Sequence, residues 1–365
     1  MYEYLRDKKG KDETAFDEVS RLYQKIDDNN SKLRNNIADI RSILSIYQFI
    51  LIAKYNLPTT LYTYATDTFF ERLFDTIFKI NQWEHFRNNV MNIDLSIDDI
   101  ERVIEVRYEW EINGYQSAED ACAMQFIWWS RYSRYWSLIF VFLYKFKAEE
   151  DHWNKMLLFT RQLSKLYLIY SVRFLKSVNE IHSFTYSLIK NIITKSFDEV
   201  MSSLNTKIGK LESHKGWGDL ENALTGDIAY NAKIKNIICR LSAMLDEDYT
   251  TTDKDEIGQI SERLFDSAID IEHIQSYHDS NGEKREGIWD EWQNNINSIG
   301  NLMVLEQSIN RSISNNPYEV KIKSYPSSIF KIVKNQPINF SSWNLENCKE
   351  RKQKETDKIL SYIFS

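Results

Sequence analysis

The stretch IDIEHIQSYHD, Ile269 to Asp279, places two of the chain's six histidines and three acidic residues within eleven positions. The other histidines, His85, His152, His182 and His214, are scattered. An imidazole with an ordinary pKa near 6.5, set beside carboxylates that can ligate a cation, is the raw material of a metal-and-base site. The same letters also fit a half-buried strand running into a wet loop. Ile269, Ile271 and Ile274 are apolar, while Asp270 and Glu272 share the opposite face of a period-two pattern.

About thirty residues later comes SIGNLMVLEQSINRSISNNPYEVKIKSY. NLMVL reads as a second strand reached through Gly300-Asn301, and Glu306 to Ser312 reads as a helix start carrying Asn310. The order is strand, loop, strand, helix. Acid and histidine lie on the first strand, and asparagines lie at the turn and on the helix.

These pieces resemble the HNH, or ββα-metal, nucleases. Within them they are most similar to the HNH domain at the C-terminus of GmrSD-type, modification-dependent restriction systems. DIEHI, the Trp-bearing IWDEWQNNIN, IGNLMVL, Asn310, SNNPYEVK and SYPSS occur in family order from about Phe265 to Phe330. The helical stretch before them, from WSLIFVFLYKF to NAKIKNIICRLSAML, also resembles the segment preceding that domain. The resemblance implies an enzyme that hydrolyses DNA phosphodiester bonds with one divalent cation, Mg²⁺ or Mn²⁺. It makes His273 the general base, Glu272 an oxygen ligand with Asp270 in reserve, and Asn310 the second protein ligand. Asn301 would tie the loop between the strands and so hold His273. A site with few protein ligands leaves room for water and phosphate, which suits those ions.

Further contacts stay open at this point. His278 fits a ligand or phosphate contact, or a solvated loop histidine. Lys321 and Lys323 fit phosphate contacts, or lysines on an exposed helix. Two departures from the family pattern matter. The run HIQSYHD lacks the proline common just after the base histidine, and no D-G-Q-x-R-like or P-loop motif is present. An NTP-binding, ParB-like partner in a separate chain is therefore expected, or a protein that works without one. The rival functions are an RNA-cleaving, toxin-like nuclease and a non-catalytic helical scaffold with a degenerate HNH fold.

Composition bounds the elements that must position these residues. The 365-residue chain has 10 Gly and 4 Pro, against roughly 25 and 18 at average usage. Few breakers mean long helices, and 10 Trp, 21 Tyr and 19 Phe supply large rings to fill their interfaces. The fold class expected is mainly α: a large all-helical body with a small C-terminal ββα-metal domain. Three dispersed cysteines argue against a zinc site or disulfide framework, and fit a cytoplasmic protein. The longest apolar run, LIFVFLY, is far too short for a membrane span. Net charge is −7, yet residues 301–365 carry 10 Lys/Arg against 6 Asp/Glu, a local +4 on a body of −11.

Three parts are expected: an all-α domain over 1–250, the nuclease domain over 251–330, and a closing helical tail over 331–365. Phe16 to Tyr47 reads as one long amphipathic helix, packed on its own domain or forming a short coiled-coil arm. DTFFERLFDTIFKI puts six apolar residues on one helical face, and IWWSRYSRYWSLIFVFLYKF reads as a central buried helix. Within the latter, Arg131 and Arg134 lie among rings. They fit snorkelled arginines over an aromatic core, or stacking platforms for single-stranded nucleic acid. The glycine-bearing stretch 203–227 reads as a mobile excursion.

Overall fold

The computed structural model describes residues 12–32, 39–73, 96–173, 178–214 and 219–365. Its first helices are α1 (Asp12–Ser31), α2 (Ile40–Lys54), α3 (Thr66–Arg72), α4 (Ile97–Asn113), α5 (Ala118–Trp129) and α6 (Leu138–Phe146). Next come α7 (His152–Val172), α8 (Val178–Thr194), α9 (Phe197–Glu212), α10 (Leu220–Thr225), α11 (Ala232–Met244) and α12 (Lys254–Phe265). Strand β1 (Ile269–His273), α13 (Ile288–Trp292), β2 (Leu302–Glu306), α14 (Gln307–Ile313) and α15 (Tyr318–Lys321) follow. The chain closes with α16 (Lys331–Lys334), α17 (Gln336–Asn339) and α18 (Leu345–Phe364). The fold is mainly α, with a small ββα element toward the C-terminus, as the breaker-poor composition dictates.

Two compact units are present. The first comprises residues 1–114, 137–156 and 179–203, and the second 115–136, 157–178 and 204–365. The cut expected near residue 250 does not coincide with this division. The physical reason is that α11 and α12 pack with α5, and α11 also packs on both strands. Helices read as body and strands read as nuclease thus share one core.

In the first unit, α2 buries Ile43, Ile46, Tyr47, Ile50 and Leu51 and packs with α4 and α6. The expected single helix from Phe16 to Tyr47 is two helices. Asp39 starts α2 as its N-cap, accepting from Ser42 N–H at 2.7 Å while the Ser42 hydroxyl accepts from Asp39 N–H. The expected helix over 67–80 is seen as α3, and residues beyond 73 lie outside those described.

The expected central helix IWWSRYSRYWSLIFVFLYKF is broken as well. Ser130 ends α5: its hydroxyl donates to Ile127 O at 2.7 Å and accepts from Tyr132 N–H at 3.0 Å. A 3₁₀ turn over Ser133–Tyr135 follows, and α6 begins at Leu138, buried through Leu143. Nor is 203–227 an irregular excursion where described. Helix α9 runs to Glu212 through Gly209, and Asp219 caps α10 by accepting from Asn222 N–H at 2.7 Å.

In the second unit, β1 and β2 form an antiparallel pair in the register Ile269↔Glu306 to His273↔Leu302. Leu302, Met303, Val304 and Leu305 are all buried, so β2 is covered on both faces, which accounts for its unbroken apolar run. Helix α14 follows β2 and packs back on both strands, and α11 packs on them too. Asn344 caps α18 by accepting from Asn347 N–H at 3.0 Å. This helix packs on α10, on α11 and on the 3₁₀ turn Gln293–Asn297 that precedes β2. The approach is close. A Cβ at Gly300 would lie 2.2 Å from the Cys348 carbonyl oxygen, so only glycine admits α18 at this distance.

Candidate active site

Alternation along β1 sends Asp270 and Glu272 to one side, and their partners identify it. Asn310, on α14, donates through Nδ2 to Asp270 Oδ2 at 3.2 Å. Glu272 is buried, and its Oε1 accepts from Lys321 Nζ at 2.7 Å and from the Tyr325 hydroxyl at 3.1 Å. The carboxylate that Asn310 reaches is thus Asp270, the residue expected in reserve. Glu272, the expected first ligand, is engaged by a buried cation.

Lys321 is fully buried. Besides Glu272 it donates to His273 O and to the Ser276 hydroxyl, each at 2.7 Å, so all three ammonium protons are used. This corrects the expectation of a phosphate contact or exposed lysine: its ammonium pins the end of β1 from inside. Burial pushes the Glu272 carboxyl up and the Lys321 ammonium down, and each holds the other charged. Lys321→Met is expected to cost about 3–5 kcal/mol by stranding a buried carboxylate. Adding Glu272→Gln should restore most of it, and a urea-melt double-mutant cycle measures both. Additive losses would show that the pair is not coupled.

His273 ends β1 and meets a different set of groups. Its Nε2 lies 3.2 Å from Asn297 Oδ1, and Asn297 Nδ2 donates to Asp227 Oδ2 at 3.2 Å. Asp227 Oδ1 in turn accepts from the N–H groups of Ala229 at 2.8 Å and Tyr230 at 3.2 Å. A carboxylate only accepts, so the amide must turn its NH₂ to Asp227 and its oxygen to the imidazole. Nε2 then carries the ring proton, and the lone pair sits on Nδ1. Burial pushes the His273 pKa down to about 4, and the Lys235 and Lys321 charges act the same way, so the ring is neutral at pH 7. Asn297 and Asp227 are functional residues that lie outside the motif positions of the sequence. The asparagine-rich QNNIN was a weak signal for the first, and 70 residues separate the pair.

Asn301 is fully buried between the strand ends. Its Oδ1 accepts from Gln275 N–H at 2.8 Å and Trp343 Nε1–H at 3.1 Å. Its Nδ2 donates to Gln275 O at 2.9 Å and Ile296 O at 2.8 Å. Its backbone carbonyl accepts from Ile274 N–H at 2.9 Å. The chain just after His273 is therefore stapled to the start of β2. Buried Arg351 on α18 adds a second clamp, donating through Nη1 to the carbonyls of Ile299 at 2.6 Å, Gly300 at 2.9 Å and Leu302 at 3.1 Å. Trp343 and Arg351, both in the segment expected to be only a closing tail, are missed positioning residues.

His278 is half-buried in a short bridge with Lys284, its ring edge-on to Tyr277 at 4.9 Å, so the loop is organised rather than open. Lys323 is exposed. Among the described residues, no three His, Cys, Asp or Glu side chains gather as a metal-binding group. The donors fit a hard cation in another way. Turning the Asn310 amide over would put its oxygen near 3 Å from Asp270 Oδ2, roughly the edge of an octahedron with about 2.1 Å ligand distances.

A two-stranded antiparallel pair backed by a helix, with acids and a histidine on the first strand, defines a ββα element set in a helical unit. Residues 218–354 match the family model of the GmrSD restriction endonucleases, C-terminal domain. The resemblance drawn from DIEHI and IGNLMVL therefore holds over those residues, and the matched segment is similar to the C-terminal domain of a restriction nuclease. The match reaches back to include α11 and forward into α18, and stops short of WSLIFVFLYKF. No curated protein matches the chain. Among the described residues, no helix is long and apolar enough to cross a membrane.

Proposed function

We propose that the second unit is an HNH-type endonuclease that hydrolyses DNA phosphodiester bonds with one divalent cation, Mg²⁺ or Mn²⁺, in restriction or anti-phage defence. A separate NTP-binding partner gates it, and the protein acts in the cytoplasm. The observation that carries this reading is the hydrogen-bond chain Asp227–Asn297–His273, within a segment matched to a restriction-nuclease domain. That chain fixes the proton on Nε2 and makes Nδ1 the atom that takes a proton from the attacking water. Asp270 and Asn310 would hold the cation, with Glu272 adjacent on the same strand face. A cation held there would supply positive charge to the phosphate and the leaving oxygen. Asn301, Lys321 and Arg351 fix the end of β1, where the imidazole and the Asp270–Asn310 pair leave the strand on opposite faces, so a cation would have to bridge them around the strand end, with the Asn310 amide turned over.

The test is cleavage of plasmid and of structured RNA by the full chain, with Mg²⁺, with Mn²⁺ or with chelator, alone and with a candidate NTP-binding partner. Metal-dependent nicking of the plasmid is expected. Cutting of RNA and not of DNA would move the protein to the toxin-like class. No metal-dependent cleavage under any of these conditions would leave only the scaffold reading.

A further inference from the structure

The chain leaves β1 at His273 and turns into a small ribbon that the chemistry above does not use. Arg285 N–H donates to Tyr277 O at 3.1 Å, His278 bridges Lys284 in antiparallel fashion, and Asp279 N–H donates to Glu283 O at 2.8 Å. At the tip, Asp279 Oδ1 accepts from the N–H groups of Asn281 and Glu283, each at 2.9 Å. Arg285 bolts the ribbon down, donating through Nε to His278 O at 3.1 Å and through Nη2 to Asn315 O at 2.8 Å.

Three rings and a cation gather where this ribbon meets α13. The Tyr277 and Trp289 rings stand edge to face, their centroids 6.3 Å apart at 81°. The His278 ring is edge-on to Tyr277 at 4.9 Å, and Lys284 Nζ lies 5.7 Å from the Tyr277 centroid. Trp289 is 47% exposed, whereas Trp292 in the same short helix is buried. The Trp289 indole thus forgoes the burial that large rings ordinarily supply, and keeps a face open to a ligand.

Both walls of this corner are fixed by elements that fix the base. Just before Tyr277, Gln275 N–H is held by Asn301 Oδ1 and the Ser276 hydroxyl by Lys321 Nζ. Helix α13 runs directly into the 3₁₀ turn whose Asn297 meets His273. Tyr277 is four residues from His273, at most about 14 Å of chain. That is about four steps of a nucleic-acid strand at about 3.4 Å each.

We propose that the Tyr277–Trp289 corner stacks an unpaired nucleobase of the DNA, within a few nucleotides of the cleaved bond. Resting on the nuclease reading, this adds the class of DNA taken: a strand with a base out of the helix. Inside a duplex both faces of a base are covered by its neighbours, so an open ring can stack only on a base that has left the stack. Glu283, Glu286, Asp290 and Glu291 are exposed along the same ribbon and helix, and Lys284 offsets only part of their charge. Charge therefore does not hold DNA here, and the ring faces must.

The experiment uses the full chain carrying His273→Ala, in chelator, with anisotropy read on a labelled, fully paired duplex and on the same duplex with a short central mismatch. The parent is expected to bind the mismatched duplex more tightly. Trp289→Ala should weaken that binding by about 5- to 150-fold, the usual worth of one base stacked on a ring, and leave the paired duplex unchanged. Trp289→Phe keeps a π-face and should retain most of the affinity. Abasic residues in the mismatch should bring the parent down to the Trp289→Ala value, and an unchanged urea midpoint shows that the variant is folded. Equal weakening on both duplexes, or on neither, overturns the assignment while the nuclease reading, judged by plasmid cleavage with His273 in place, stands. Loss of partner-dependent cleavage with DNA binding intact would give the corner to the partner protein instead. A parent that binds neither duplex also overturns the assignment, and with no plasmid cleavage the nuclease reading falls with it.

Discussion

Replacing His273 by alanine is expected to slow metal-dependent DNA cleavage by about 10²–10⁴-fold, the usual worth of a positioned general base. The protein should stay folded, because the ring lies at the end of β1 and the strand pairing is backbone to backbone. The Nδ1 assignment adds a second readout. The base works when unprotonated, so the rate should be level above its pKa and fall below it. With that pKa pushed down to about 4, activity should persist well below the ordinary histidine range and be lost only as the pH approaches about 4. The same shift has a stability sign. Between roughly pH 6.5 and 4 the unfolded chain takes up a proton that the folded one refuses, so stability declines across that window and levels off below it. A His273→Ala enzyme within about threefold of the parent would remove the imidazole from the chemistry.

Asn301→Ala should be among the most damaging single substitutions in the second unit, costing about 3–5 kcal/mol. The amide uses both ends: two donors reach its Oδ1, and its Nδ2 serves two carbonyls. Alanine leaves all of them in a fully buried space. Asn301→Asp separates hydrogen bonding from shape. It keeps the two bonds to Oδ1 but faces the Gln275 and Ile296 carbonyls with a second oxygen, so it should destabilise as much as alanine or more. Urea unfolding measures this as a lower midpoint at unchanged slope. A loss below about 1 kcal/mol would mean that Gln275 and Ile296 find other partners, and that the staple between the strands is dispensable.

The strand pair and its helix were legible because each signal was local. Ile269 to Ile274 alternates, NLMVL is short and apolar, and Gly300-Asn301 marks the turn into it. The breaks within helices were less visible. Asp39 and Ser130 are ordinary residues inside apolar periodicity, and only their side-chain bonds to nearby backbone reveal that they start or stop a helix. Lys321 was misjudged because lysine is almost never fully buried, and its three acceptors lie 45 to 49 residues away.

The amino-acid order by itself determined the helical class, the ββα succession and which residue types could act on a phosphodiester. These follow from periodicity, breaker content and motif sequence, all properties of neighbours along the chain. The tertiary structure decided the partners. It paired Asn310 with Asp270 and gave Glu272 to Lys321. It set the proton of His273 through Asn297 and Asp227, and made α18 the clamp on β2 through Arg351 and the close contact at Gly300. Hydrogen bonds between residues tens of positions apart depend on how elements pack, and packing is fixed by the whole buried surface rather than by any short stretch.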